Sequence, residues 1–300
     1  DYSDSSDATL GYDLTIGGRT VNDSISTGGI IGASTDTWRA NLLGAYEEGG
    51  DTEYKDGTIG GSEFQRSIQG LSTGLRTDLG EFSLDWRRHN TGFSGNPPFG
   101  MDIRFVDTDV VKAGYEKSFG DVLIEASASY TDAAHGMNTY DLRPAMMRRE
   151  ALAYAITRKA DISATFPAFG GSLQLGADTA EEDHNVSVVE PENLDNYVYS
   201  LPDIVIDRYG AFAEWTGTLG AFNAELGLRV DDYEGEGGTA TFGADATMGQ
   251  KMLAASYNAS DRSADATTVD IAARLWRPIT DDLTWRVTLA QKSRAPFYLE

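Results

Sequence analysis

The sequence predicts an all-β chain, part of a transmembrane antiparallel β-barrel, and three observations predict it. Apolar and polar residues alternate with a period of two in segment after segment, which puts one strand face in an apolar medium and the other in a polar one. The connections between segments alternate between short and long, as in a barrel with tight turns at one rim and loops at the other. No apolar run reaches the roughly 18 residues of a membrane helix, yet a barrel stays allowed because only alternate residues face lipid.

The alternating segments follow in order. Trp38, Ala40, Leu42, Gly44 and Tyr46 share one face, with Arg39 and Asn41 on the other. Phe82, Leu84 and Trp86 alternate with Ser83, Asp85 and Arg87. Val122, Ile124, Ala126, Ala128 and Tyr130 alternate with Glu125, Ser127, Ser129 and Thr131. The clearest run is Phe222, Ala224, Leu226, Leu228 and Val230, interleaved with Asn223, Glu225, Gly227 and Arg229. Leu283, Trp285, Val287 and Leu289 close the series against Thr284, Arg286 and Thr288. In all there are about fifteen segments of roughly 9–15 residues, the length that crosses a bilayer as a tilted strand.

Short turns are expected at 78–80, 118–120, 166–170, 217–220 and 277–280. Long loops are expected at about 47–63, 91–105, 131–149 and 181–206. Phe119, Phe166, Phe169, Tyr197, Tyr199, Tyr209, Trp215, Trp276 and Tyr298 cluster near segment ends. In a barrel they would form interfacial girdles; in any other sheet they would be core aromatics. No sustained helical periodicity is present. Residues 143–158 contain good helix formers but are read as a loop running into a strand, because a turn and another alternating segment follow.

Composition narrows the function. The chain has 300 residues, 24 Lys+Arg against 47 Asp+Glu, and a formal net charge of −23. Such acidity argues against nucleic acid and against docking on anionic lipid. There is no cysteine, which excludes disulfides and thiol chemistry. With 33 glycines and 10% aromatic residues, the composition again suits many short strands. The chain opens Asp1-Tyr2-Ser3-Asp4 and stops at Glu300, and reads as an internal fragment whose secretory signal lay upstream.

Several stretches resemble TonB-dependent outer-membrane receptors. Asp207-Arg208-Tyr209-Gly210-Ala211-Phe212-Ala213-Glu214-Trp215, a short turn, and Leu226-Gly227-Leu228-Arg229-Val230-Asp231-Asp232-Tyr233 look like that family's mid-barrel hairpin. The Arg294-Ala295-Pro296 step is similar to a later strand, and the Tyr54-Lys55-Asp56-Gly57 loop also fits. Within the family, Asn96-Pro97-Pro98-Phe99-Gly100-Met101-Asp102-Ile103-Arg104, Asp107-Thr108-Asp109 and His135-Gly136-Met137-Asn138 resemble the copper-receptor branch.

The resemblance implies a wall of about 22 strands around an N-terminal plug, with all of residues 1–300 belonging to the barrel and the plug outside them. It implies uptake of a scarce ligand, copper in this branch, through loop capture and plug gating in the outer membrane. The TonB complex, outer-membrane lipid and a metal ion or metal chelate would be partners, nucleic acid would not, and the receptor would be a monomer. No resident cofactor and no bond-making chemistry are expected; copper would be cargo. The branch places a His-x-Met pair on a barrel loop, which maps to His135 and Met137, and Met101, Met146 and Met147 could add thioethers.

The chemistry of that pair is sound. Thioether sulfur with imidazole selects copper, above all Cu(I), and residues i and i+2 of an extended segment share a face. An ordinary solvated loop is the plainer reading of the residues alone. His89 and His184 have no soft neighbours and are read as structural. The acidic groups Glu181-Glu182-Asp183, Asp231-Asp232 and Asp281-Asp282 are read as turn or loop charges rather than acid–base or Ca²⁺ sites. No zincin or P-loop pattern occurs. The remaining alternatives are a ferric siderophore, cobalamin or glycan as cargo, a smaller outer-membrane barrel enzyme, and a soluble all-β binding protein.

Overall fold

The computed structural model describes residues 2–142 and 147–295. Fifteen strands are found among them. They begin with β1 (Thr9–Arg19), β2 (Ser24–Ser34), β3 (Trp38–Gly49), β4 (Thr52–Tyr54), β5 (Gly57–Ile59), β6 (Phe64–Thr77), β7 (Gly80–Thr91) and β8 (Asp102–Phe119). There follow β9 (Val122–Asn138), β10 (Glu150–Ala168), β11 (Gly171–Glu190), β12 (Asn193–Leu219), β13 (Phe222–Gly237), β14 (Ser263–Pro278) and β15 (Thr284–Gln291). Thirteen of them join into one antiparallel sheet in which each pairs with its neighbours along the chain. The sheet is open, with β1 and β15 at its edges. Strands β4 and β5 form a separate hairpin inside the β3–β6 connection. Thirteen of the fifteen strands therefore make the main sheet.

Period-two alternation produces two chemically distinct faces. On β1, Leu10, Tyr12, Leu14 and Ile16 are 67–81% exposed. On β13, Leu226, Leu228 and Val230 stand out in the same way, and Ile162 and Ile271 do so on β10 and β14. Large apolar side chains left in the open along a whole sheet face need an apolar medium outside. Glu125, Ser127, Asp161, Asp178 and Arg229 line the opposite face.

The turns at one end are short, as expected. Ala168 runs into Gly171 through Phe169-Gly170, both at positive φ (53° and 73°), the primed turn whose twist matches paired strands. Residues 78–79, 120–121 and 220–221 turn at the same end, and 279–283 form a slightly longer link there. Phe119 (56% exposed) and Phe169 (85%) stand out at this end. Trp215 stands near this end too, on the same face as its ladder partner Leu226. It is buried, it lies over Gly171 and Gly217, and its indole nitrogen donates to the Ala168 carbonyl at 3.1 Å.

The opposite end departs further from expectation. The 131–149 loop begins only after Asn138, so His135 and Met137 belong to β9 and not to a loop. The 181–206 loop is instead strand: β11 stays paired with β10 as far as Val189, β12 runs on past the end of β13, and the two turn at 191–192, with register shifts near Asn185 and Glu190. Its sequence is rich in acidic residues and Asn, but the ladder hydrogen bonds carry it on. Glu181-Glu182-Asp183 and Asp231-Asp232 thus lie within strands, and only Asp281-Asp282 occupies a turn. The 238–262 connection, for which the sequence predicts no helix, carries the one helix among the described residues, α1 (Met248–Asn258). A capping box starts it: Thr247 Oγ1 accepts from the Gln250 amide, and Gln250 Oε1 accepts from the Thr247 amide.

Candidate functional site

Residues paired across antiparallel strands project from the same face, so the ladder shows what the polar face presents at each height. One row runs Asp231, Gly210, Asp178, Asp161, Ser127. Nearer the long-connection end comes His184, Ala155, Ala133, Thr108, His89. One step higher, His135 pairs with Val106 and Ala153, and then Met137 pairs with Ile103 and Ala151. His135 and Met137 do share a face, and it is the polar one, at the end with the long connections.

Local packing explains the glycine between them. A Cβ on Gly136 would run into the Phe105 ring, so this ring lies directly on the backbone between the two side chains. The ladder shifts register there, between Ile103 and Phe105. Gly136→Ala should cost about 1–3 kcal/mol by overpacking, read as denaturant unfolding of the full-length receptor in micelles. Gly100→Ala, where nothing lies within 4 Å, should be close to neutral in the same assay. Equal costs at the two positions would refute the packing account.

A polar knot holds the strand ends around the pair. Asp102 and Asn138 face each other in the ladder and are each only 1% exposed. Asp102 Oδ1 accepts from the Asn96 amide at 2.9 Å. Asn138 Oδ1 accepts from the Tyr140 and Asp141 amides, each at 3.0 Å, in the Asx pattern that starts turns. Arg104 pairs with Glu150, whose other oxygen accepts from Tyr140. The knot joins the 92–101 and 139–149 connections just beyond Met137. Sequence reasoning missed it, because polar residues at segment ends look alike until their burial is known.

A strand crosses a bilayer in about 9–11 residues, so His135, the fourteenth residue of β9, stands beyond the crossing. It is half-buried, and burial lowers its pKa below the usual 6.5. Its Nε2 is buried and makes no hydrogen bond with any described residue. A neutral imidazole with an uncommitted nitrogen is the form that binds metals. Met101 directly precedes β8. Met147 is 63% exposed, and its carbonyl accepts from Thr139 Oγ1 at 3.1 Å. Met146 lies outside the described residues. His184 Nε2 sits 3.7 Å from Glu182. Among the described residues, no three His, Cys, Asp or Glu side chains converge as a closed metal site.

Two further features occupy the polar face. Asp178 accepts from Arg229 Nη1 at 2.7 Å and Nη2 at 2.9 Å, and from Arg208 at 2.6 Å. Arg229 also donates from Nε to Asp231 at 2.7 Å, and Asp231 is 5% exposed. Gly210 leaves room for this cluster, since a Cβ there would run into the Arg229 guanidinium. Asp231, expected at a turn, is instead a buried partner of two arginines. Higher up, a recess of ≈ 390 Å³ opens between Ile204, Ile206 and Tyr233 of the sheet and Tyr257 of α1.

The sequence model of one family, described as "TonB dependent receptor-like, beta-barrel", matches residues 1–300. No curated protein matches the sequence. Among solved structures, the chain is similar to one titled "Copper transporter OprC", with a TM-score of 0.82 at 18% identity, covering 99% of this chain and 48% of that one. It is also similar to the alcaligin outer membrane receptor FauA from Bordetella pertussis, with a TM-score of 0.59 at 14% identity, covering 96% of this chain and 44% of that one. The chain spans about half the length of these structures.

Proposed function

This chain belongs to the TonB-dependent receptor-like β-barrel family, and on that premise we propose that it is wall from an outer-membrane receptor that imports copper. In such a barrel the apolar face meets lipid and the polar face lines the lumen. His135 and Met137 then point into the outer mouth of the lumen. The observation that carries the reading is this shared orientation at the long-connection end, with the His135 nitrogen left uncommitted. Imidazole and thioether together prefer copper over harder metals.

In this mechanism the pair holds copper at the mouth, and a plug outside residues 1–300 gates its passage. The TonB complex drives the gate, and no bond is made or broken. The solved structure titled a copper transporter supports the cargo, as does the placement of the methionines.

Copper binding to the full-length receptor in detergent, under reducing and oxidising conditions, tests the reading. His135→Ala/Met137→Ala should weaken the tightest site at least about tenfold, the effect of losing one or two ligands. The depressed His135 pKa adds a signature. Binding through a neutral imidazole should hold as pH falls through 6.5 and weaken only at lower pH. Equal affinity in parent and variant would leave the pair with no role in binding.

A second reading has its own support. The recess under α1 has the size and apolar lining suited to an organic ligand, so the cargo could be a metal chelate as in a siderophore receptor. Copper binding that leaves both proteins unchanged, with retention of a ferric chelate, would select it.

A further inference from the structure

The methionines are unevenly placed. Of the six in the chain, five fall within the described residues: Met101, Met137, Met147, Met248 and Met252. All five lie at the long-connection end, and none sits in the apolar band facing lipid, where a flexible apolar side chain would be at home.

Helix α1 sharpens the pattern. One side is tied to the body of the protein. Ala254 is buried, Asn258 exchanges hydrogen bonds with the Ala240 backbone at 2.9 Å in both directions, and Lys251 Nζ donates to the Ala244 carbonyl at 2.7 Å. The side left in the open is Met248, Gly249, Met252, Leu253, Ala255 and Ser256, with no charge among them. Met248 is 73% exposed and Met252 65%. The helix therefore ties its Lys and Asn side chains to the protein and leaves its largest apolar ones to water, opposite to a surface helix whose apolar stripe is packed.

Packing does not require these two thioethers, but geometry lets them act together. Residues at i and i+4 on a helix hold their Cβ atoms about 5–6 Å apart. Two flexible thioether side chains at that spacing can close on one soft ion. We propose that Met248 and Met252 form a two-sulfur site for a soft monovalent metal ion, Cu(I) or its analogue Ag(I), outside the barrel mouth. The proposal deepens the copper reading and rests on it. Two neutral sulfur donors hold such an ion loosely, which suits collection and delivery to a firmer site containing His135 and Met137.

The test uses the full-length receptor in detergent, labelled with ¹³C at the methionine methyl groups and titrated with silver(I), which is soft and does not change oxidation state. Met248→Leu/Met252→Leu keeps helix propensity and apolar character and removes only sulfur. The expected result is movement of the Met248 and Met252 methyl signals, and one fewer silver equivalent bound by the variant. Unmoved signals, or equal stoichiometry in parent and variant, would overturn the proposal and leave the exposed stripe as a protein-docking or ligand-docking face. The Met137 signal separates the two hypotheses. If Met137 stays unmoved while Met248 and Met252 respond, the capture pair fails and this site stands. If only Met137 responds, this site fails and the capture pair stands.

Discussion

Leu228→Arg should block or slow insertion of the full-length receptor into lipid vesicles and destabilise the inserted barrel by about 2–4 kcal/mol. Leu228 is 47% exposed, midway along the apolar run of β13. Its ladder partners Ala213 and Ile271 are apolar, and Ile271 is 51% exposed. A guanidinium there would sit at the centre of the lipid band with nothing to pair with. Ser163→Arg is the matched control. Ser163 lies on the polar face of β10 at a similar height, opposite Glu125, and its replacement should change stability by less than about 1 kcal/mol. Refolding into vesicles followed by heat-modified gel mobility would score both. Similar behaviour of the two variants would refute the division into a lipid face and a polar face, and reversed behaviour would mean that the faces have been assigned the wrong way round.

The second large effect is expected at Arg229. Its guanidinium serves Asp178 and Asp231 together, with the fork geometry that makes arginine–carboxylate pairs strong. Arg229→Ala would leave two shielded carboxylates with only Arg208 to neutralise them. The cost should be about 2–3 kcal/mol, below the range for a fully buried pair because the Arg229 side chain is 28% exposed. Arg274→Ala breaks a single pair with Glu225 whose side chains are 46% and 30% exposed, and should cost less than about 1 kcal/mol. Denaturant unfolding of the three proteins gives the comparison. The cluster would lose its structural role if Arg229→Ala were no more costly than Arg274→Ala.

Parts of the candidate site were legible in the sequence and parts were not. The spacing of His135 and Met137 forecasts a shared face, because strand geometry alternates side chains whatever the tertiary context. The loop expected around them is strand instead. Asn138 is paired with Asp102 and Glu150 across the ladder, so β9 continues through the pair. Asp102 and Asn138 gave no signal because their burial depends on tertiary contacts, with Asn96 closing on Asp102 and Tyr140 and Asp141 closing on Asn138. Helix α1 did leave one: Thr247 and Gln250 have the spacing of a capping box. The helix is hard to read from sequence because its open side and its packed side both carry alanine, so no clean apolar stripe marks it.

By itself the sequence determined that this is an antiparallel all-β wall with one apolar face, with short turns at one end and longer connections at the other. Period-two alternation and turn chemistry are local properties, written into a few consecutive residues. Tertiary structure decided where strands end, which charges are shielded and which side chains meet. The same acidic residues that read as turns in isolation become strand when a neighbouring ladder supplies hydrogen bonds to their backbone, as at Glu181 to Asp183. Asp231 becomes a buried ion-pair partner because pairing brings it beside Gly210, with Arg208, Arg229 and Asp178 around it. Such juxtapositions depend on register between strands far apart in sequence, and no local pattern encodes that register.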